Sequence, residues 1–195
     1  LIVVPTSLLF NWQAEVAKFA PSIKIFTNYG GNKLKDAKEM DQYEIILTTY
    51  GMLNSDIELL RKYPFNYIIL DESQAIKNPE SQRYKLVRLL HSRNKIALTG
   101  TPFENNTYDI YGQLSFACPG LLGTKTYFKN IYSNPIDHHE DGSKSNRLQR
   151  IIHPFVLRRT KQQVAQELPD KTEMVLYCEM GPQQRKLYDD AAAEV

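Results

Sequence analysis

The amino-acid sequence predicts an α/β fold with a mostly parallel central sheet. Short apolar segments rich in β-branched residues alternate along the chain with longer segments of helical period. The apolar segments are hydrophobic almost throughout, as is typical of strands buried on both faces of a parallel sheet. Strands are predicted at residues 1–4, 23–27, 45–48, 67–70 and 95–98.

The segments between these strands have the periodicity of amphipathic helices. After the first strand, apolar residues share one helical stripe, and Thr6 or Ser7 is the candidate N-cap. Further helices are predicted over 50–61 and 81–90. An open α/β sheet binds ligands at the carboxyl ends of its strands, so residues there are the first site candidates. The stripe consists of Leu8, Leu9, Trp12, Val16 and Phe19.

The alternation of strand and helix changes after Pro119. Residues 120–150 show no sustained period, so we expect a helical or loop excursion, and 142–166 contains basic but no acidic residues. We therefore predict an α/β domain over 1–123, a helical insertion with a basic segment over 124–168, and a linker with the start of a further domain over 169–195. The last part is predicted to hold a strand at 172–178 and a helix from Gly181 and Pro182.

The composition is that of a globular protein, with 195 residues, 42% of them hydrophobic and 24% charged. The formal net charge of +2 is too small to identify a nucleic-acid binder, so any basic surface must be local. The only cysteines, Cys118 and Cys178, form neither a disulfide framework nor a zinc cluster and favour a reducing intracellular setting. No apolar run reaches the length of a membrane span, so no membrane partner is expected.

Two adjacent carboxylates, Asp71 and Glu72, follow the apolar strand at 67–70. One carboxylate at a strand end can hold Mg²⁺, usually through water, while its neighbour orients or deprotonates an attacking water. The alternative is that the pair only caps the following turn. The dipeptide alone does not decide between these two interpretations.

Small hydroxyl residues follow the last predicted strand, where Thr99 and Thr101 flank Gly100. Small side chains allow another element to approach the strand end, and the hydroxyls can hydrogen-bond carboxylates on a neighbouring strand. A plain turn, with Gly100 and Pro102 as breakers, would give the same pattern.

Candidate phosphate contacts follow two other strands. Backbone N–H groups and hydroxyls at the start of a helix suit a phosphate oxygen, although an ordinary capped helix has the same residue types. The residues concerned are Pro5, Thr6 and Ser7 after the first strand, and Thr48, Thr49 and Tyr50 at the end of the third.

Taken together and in this order, these segments resemble the first motor lobe of the Swi/Snf family of helicase-like ATPases, in the second helicase superfamily. The resemblance covers nearly the whole chain and is weakest across 125–147. Residues 4–7 with Asn11 and Trp12 resemble motif Ia, 47–50 motif Ib, 71–74 the DEAH-type box of motif II, 98–102 with 104–106 motif III, and 155–161 with 168–171 a signature on the way to the second lobe.

The resemblance implies a RecA-like three-layer fold with a helical insertion, and ATP and Mg²⁺ as cofactors. By the same resemblance, Asp71 helps to coordinate Mg²⁺, Glu72 positions the hydrolytic water, and Gln74 senses the γ-phosphate across the interface between two lobes. The residues expected to couple nucleotide state to lobe movement are Thr99, Gly100 and Thr101.

The expected partners are double-stranded DNA, the second motor lobe of the same parent chain, and a DNA-bound protein complex. Contacts to the DNA backbone ignore base identity, as a motor that tracks along DNA requires. The compact lobe favours a bacterial, cytoplasmic protein associated with the nucleoid, or a nuclear one if the source is eukaryotic. The expected DNA contacts are Pro5, Thr6, Ser7, Thr48, Thr49, Tyr50, Arg158 and Arg159; the two arginines are equally compatible with bracing the lobes.

The sequence contains no G-x-x-x-x-G-K-[ST] phosphate loop. The chain begins within a predicted strand and ends within a predicted helix, so we expect that loop just before Leu1 and the arginines of the second lobe after Val195. Since this superfamily holds ATP between two lobes, the resemblance implies that the chain alone is inactive while its parent hydrolyses ATP.

Two other functions are compatible with parts of the pattern. An aspartyl phosphotransferase also ends a buried strand on Asp, but such enzymes usually have a second Asp two residues later, where this chain has Ser73. A non-catalytic module that binds nucleic acid or protein would keep the lobe fold and would have a degraded phosphate loop.

Overall fold

The computed structural model describes residues 1–100, 107–164, 174–176 and 180–193. The chain divides into two compact units, Leu1–Val156 and Leu157–Val195. In the described part of the chain, no helix is both long and apolar enough to cross a lipid bilayer.

A five-stranded sheet forms the centre of the first unit, and its strands run parallel in the order β2-β3-β1-β4-β5. The five strands predicted within residues 1–98 are all present, which confirms the α/β class. The strands are β1 (Ile2–Val4), β2 (Ile25–Asn28), β3 (Ile45–Thr49), β4 (Phe65–Leu70) and β5 (Ser92–Ala97).

Helices cover both faces of this sheet, because successive residues of each buried strand point to opposite sides. On one face, Ile2, Val4 and Leu47 pack with Leu9 of α1 (Leu9–Phe19). On the other, residues such as Val3 pack into a larger cluster with α2 (Ala37–Met40), α3 (Leu53–Leu60) and α4 (Gln82–Arg88). The three-layer arrangement is therefore confirmed.

The start of α1 differs from the prediction. Thr6–Leu8 form a 3₁₀ turn in which the Leu8 N–H donates to the Pro5 carbonyl at 3.0 Å. The helix then begins at Leu9 without a side-chain cap, so neither Thr6 nor Ser7 is the N-cap. Phe19, placed on the apolar stripe by periodicity, is exposed at the end of the helix.

The excursion after residue 119 is helical. A π-helical turn (Lys129–Ser133) joins two short helices, and such a turn breaks the 3.6-residue period that sequence patterns depend on. Along the chain, the border between the two compact units lies at 156/157, whereas the borders at 123/124 and 168/169 stay predictions. After α5 (Tyr108–Ala117), the helices of this region are α6 (Lys125–Phe128), α7 (Asn134–His139) and α8 (Gly142–Ile152), followed by a 3₁₀ turn (His153–Phe155).

Helix α5 takes part in two hydrophobic clusters. Its Phe116 is fully buried in the cluster under the sheet. Its Ile110, Tyr111 and Leu114 belong to a second cluster formed with α6 to α8, where Tyr111 and Phe128 have ring centroids 5.2 Å apart. This helix therefore joins the sheet to the helical region.

The second unit contains α9 (Lys161–Val164) and α10 (Pro182–Ala193). The helix expected from Gly181 and Pro182 is present. Of the strand expected at 172–178, residues 174–176 are not in a strand, and the remainder lies outside the described residues. An alternating pattern alone does not make a strand without a neighbouring strand to pair with.

We expect Gly112→Ala to destabilise the protein by about 1–3 kcal/mol, the usual cost of overpacking. A Cβ at Gly112 would lie 2.4 Å from the Ile76 carbonyl oxygen and 2.6 Å from that of Lys77, and backbone atoms cannot move aside as a flexible side chain can. Chemical denaturation of the 195-residue chain measures the effect. The control is Gly142→Ala, at another helical glycine with open space around it; equal effects would contradict the prediction.

Candidate active site

The acidic pair and the threonine-bearing segment lie at one edge of the sheet, after adjacent strands β4 and β5. Leu70 is in register with Ala97, and the Leu98 N–H donates to the Leu70 carbonyl at 2.8 Å. On the other side of β4, the Asp71 N–H donates to the Val3 carbonyl at 2.9 Å. The expected convergence of these strand ends is therefore confirmed.

Hydrogen bonds connect Thr99 to the acidic pair through Gln74. The Thr99 hydroxyl donates to Gln74 Oε1 at 2.8 Å, and Gln74 Nε2 donates to Glu72 Oε2 at 2.7 Å. A hydroxyl next to a carboxylate was expected, but Gln74 stands between the two groups. Gly100 is exposed with open space around its Cα, and Thr101 lies outside the described residues.

Glu72 has the left-handed backbone conformation, with φ 47° and ψ 53°. This conformation costs a non-glycine residue about 1–2 kcal/mol, so surrounding contacts must hold it. The Glu72 N–H donates to Asp71 Oδ1 at 2.9 Å, and the Ser73 N–H donates to the Leu98 carbonyl at 2.8 Å. Because of this left-handed turn at Glu72, the carboxylates of Asp71 and Glu72 point in different directions and have different hydrogen-bond partners.

Asp71 is held by two aromatic side chains, one from helix α1 and one that follows strand β3. Trp12 Nε1 donates to Asp71 Oδ2 at 2.8 Å, and the Tyr50 hydroxyl donates to the Asp71 carbonyl oxygen at 2.8 Å. Burial raises the pKa of Tyr50, and the negative charge of Asp71 raises it further. Tyr50 therefore remains a neutral donor at physiological pH.

The half-buried Asp71 carboxylate fits a role in holding a hydrated Mg²⁺. Its oxygens accept hydrogen bonds from Trp12 and from the Glu72 N–H, and an ionised carboxylate has further lone pairs. Among the described residues, no group of three or more His, Cys, Asp or Glu side chains could hold a metal. The carboxylate of Asp71 is the kind of oxygen ligand that Mg²⁺ uses, because this ion keeps several waters and binds through few carboxylates together with substrate phosphates.

The predicted DNA contacts have unequal accessibility. Thr6 and Ser7 are exposed in the turn after β1. Thr48, Thr49 and Tyr50 are at most 5% exposed; the Thr48 hydroxyl donates to the Asn28 carbonyl at 3.1 Å, and Thr49 Oγ1 accepts from the Met52 N–H. Pro5 is half-buried, and Arg158 and Arg159 are exposed in the second unit. DNA contact by these residues stays a prediction.

Sequence reasoning missed several hydrogen bonds at this site, among them those made by Trp12 and Ser73. Periodicity placed Trp12 on the apolar stripe of the first helix; Trp12 is half-buried against the apolar cluster, and its indole N–H also donates to Asp71. A buried indole N–H usually has a partner, and that requirement was the available signal. Sequence reasoning also missed the Ser73 hydroxyl donating to Gln113 Oε1 at 2.8 Å, for which the separation of 40 residues offered no signal.

The family model for the SNF2-related domain matches residues 1–194. The chain belongs to this family. The resemblance to the Swi/Snf family, and the description of the chain as a first-lobe segment, are therefore confirmed. The family gives no support to an aspartyl phosphotransferase.

Solved structures and curated proteins agree with this assignment. The SWI2/SNF2 ATPase core of Sulfolobus solfataricus in complex with double-stranded DNA is 39% identical, with a TM-score of 0.78 over 99% of this chain and 41% of that chain. Helicase ssl-1 of Caenorhabditis elegans is 35% identical over 97% of this chain, and the chromatin-remodeling ATPase INO80 of Candida glabrata is 37% identical over 96%.

The chain spans only 8% of the length of Helicase ssl-1 and 14% of that of the Candida glabrata protein. These curated relatives are eukaryotic, and INO80 is named as a chromatin remodeller. They give no support to the expected bacterial, cytoplasmic location. The prediction used only the absence of long insertions in the lobe, which is a property of chain length and not of cellular compartment.

We expect Trp12→Phe to lower the free energy of unfolding by about 1–2 kcal/mol, because it removes a hydrogen bond to a carboxylate while leaving an aromatic ring in place. Denaturation of the 195-residue chain measures this change. The same substitution in an Asp71→Ala background is the control and should have a smaller effect. Equal effects in both backgrounds would mean that the indole acts only through packing.

Proposed function

We propose that this SNF2-related domain is the first lobe of an ATP-dependent motor that moves on double-stranded DNA. The observation that carries the proposal is the hydrogen-bonded connection Thr99–Gln74–Glu72 beside Asp71 at the edge of the parallel sheet. This connection links Glu72, a carboxylate suited to activating water, to Thr99 in the segment after β5. Coupling of hydrolysis to movement requires such a link. The family and the DNA complex of the Sulfolobus solfataricus relative support this function.

In this mechanism the residues of the DEAH-type box divide the work. Asp71, oriented by Trp12, would hold Mg²⁺ through water, and Mg²⁺ would neutralise negative charge on the phosphates. Glu72 would orient the attacking water and accept its proton. Gln74, which donates to Glu72 and accepts from Thr99, would register the γ-phosphate and pass its presence to the neighbouring strand end.

The proposed DNA surface follows β1 and β3. The exposed Thr6 and Ser7 would contact backbone phosphates of DNA directly. The buried Thr48, Thr49 and Tyr50 would support that surface from the interior of the domain. Tyr50 would also connect it to the acidic pair, because its hydroxyl binds the Asp71 carbonyl. Contacts of this kind position the motor without selecting a sequence.

The proposal extends to parts outside this chain. Outside this chain, a phosphate loop and a second lobe would complete the ATP site. Within it, Arg158 and Arg159 would brace the lobes or contact DNA. The first lobe would span 1–123, the helical insertion and basic segment 124–168, and the linker 169–195. The eukaryotic relatives support a nuclear location and a DNA-bound protein complex as the object of remodelling.

We expect the full-length protein to hydrolyse ATP faster when double-stranded DNA is added. The stimulation should weaken as NaCl rises, because contacts to phosphates release counterions. ATP turnover measured against DNA and salt concentration tests this, with the 195-residue chain as the inactive control. Binding of DNA without turnover would favour the non-catalytic module, and turnover indifferent to DNA would contradict the motor.

We expect Glu72→Gln to reduce kcat by about 10²–10⁴-fold, the usual contribution of a general base, while ATP binding stays nearly unchanged. The amide keeps the size of the side chain and an acceptor for Gln74 but cannot take a proton. Steady-state kinetics and equilibrium ATP binding in the full-length protein separate the two effects. Glu58→Gln, at an exposed carboxylate paired with Arg61, is the matched control; parallel loss of binding and turnover would make Glu72 structural.

A further inference from the structure

Ser73 lies between the catalytic candidates Glu72 and Gln74, and its side chain is fully buried. Its hydroxyl donates to Oε1 of Gln113 at 2.8 Å, and Gln113 is only 6% exposed. A buried hydroxyl without a partner is costly, so the hydrogen bond favours one placement of Ser73 relative to Gln113.

The backbone around Gln113 approaches the same turn closely. Gly112 precedes Gln113 in α5, and an added Cβ there would overlap the carbonyl oxygens of Ile76 and Lys77. Ser73–Ile76 form the 3₁₀ turn that follows Glu72. Helix α5 therefore meets this turn through a hydrogen bond at one end and through backbone contact at the other, which leaves little freedom for either element to move alone.

Other residues of α5 pack in the helical region. Tyr111 and Leu114, on either side of Gly112 and Gln113, pack in the cluster that contains Phe128. A shift of this cluster moves α5, and the contact with Ser73 transmits the shift to the turn. Packed elements move as units because interiors are dense.

We propose that Gln113 is a positioning residue for ATP hydrolysis, which through Ser73 holds the turn that presents Glu72 and Gln74. The proposal rests on the proposed function, since Gln113 acts on the turn and not on the reacting atoms. Helix α5 thereby makes the geometry of the acidic pair depend on the packing of the helical region.

The first test measures ATP turnover of the full-length protein with saturating DNA. Gln113→Leu should lower kcat by roughly 10- to 100-fold, because small displacements of a catalytic group are that costly, with KM for ATP within about twofold. Ser73→Ala should lower kcat less. The double variant S73A/Q113L leaves neither polar partner unpaired and should recover part of the loss of Gln113→Leu.

The matched control is Tyr84→Phe. The Tyr84 hydroxyl and Ser115 Oγ are 3.0 Å apart, so this change also breaks a hydrogen bond between α5 and a neighbouring element but does not touch Ser73. It should leave kcat unchanged. The proposal would be overturned if Gln113→Leu had a normal kcat. It would also be overturned if the fold-loss of kcat in the double variant were the product of the two single fold-losses.

The second test needs no ATPase activity. In the 195-residue chain, Gln113→Leu should speed amide hydrogen exchange at Ser73, Ala75 and Lys77, whose N–H groups bond to the carbonyls of Leu98, Glu72 and Gln74. Tyr84→Phe should not. Unchanged exchange at these amides would overturn the positioning role, whether or not the full-length protein shows DNA-stimulated turnover. Absence of that turnover would by itself contradict only the proposed function.

Discussion

The parallel pairing of β4 with β5 is the constraint on which the candidate site depends. It brings Leu98 beside Leu70, and the backbone bond from the Ser73 N–H to the Leu98 carbonyl then fixes the turn after the acidic pair. That bond lets Glu72 keep a left-handed conformation, which would otherwise be unfavourable. Without this strand pairing, Thr99 and Gln74 would not meet, and the acidic pair would be an ordinary exposed turn.

Much of the fold could be predicted from the sequence because buried parallel strands have a strong local signature. The segments around Val3, Ile46 and Ile68 are apolar on both faces, and each appears as a strand near its predicted bounds. Boundaries were less predictable where local bonding competes. A 3₁₀ turn follows Pro5, so α1 begins later than predicted. Strand β5 begins at Ser92, before its apolar part, because the pairing of Ser92 with Phe65 extends it.

The site was predictable in its residue types but not in its connections. Asp71, Glu72 and Thr99 follow strand ends, so topology alone places them together. The partners that orient them come from distant segments, as Trp12 and Gln113 show, and no local pattern encodes such pairs. The predicted phosphate contacts Thr48 and Thr49 are a related case: a hydroxyl at a strand end can bond to a neighbouring strand as readily as to a ligand, and here Thr48 donates to Asn28 at the end of β2.

Trp12 is the only tryptophan in the chain, and its indole N–H is bonded to the carboxylate expected to face the metal. Indole emission responds to the charge and hydrogen bonding of its immediate surroundings. The intrinsic fluorescence of this domain is therefore a built-in optical reporter of Asp71, and neutralising that carboxylate or shifting it toward a cation will change the emission without any added label.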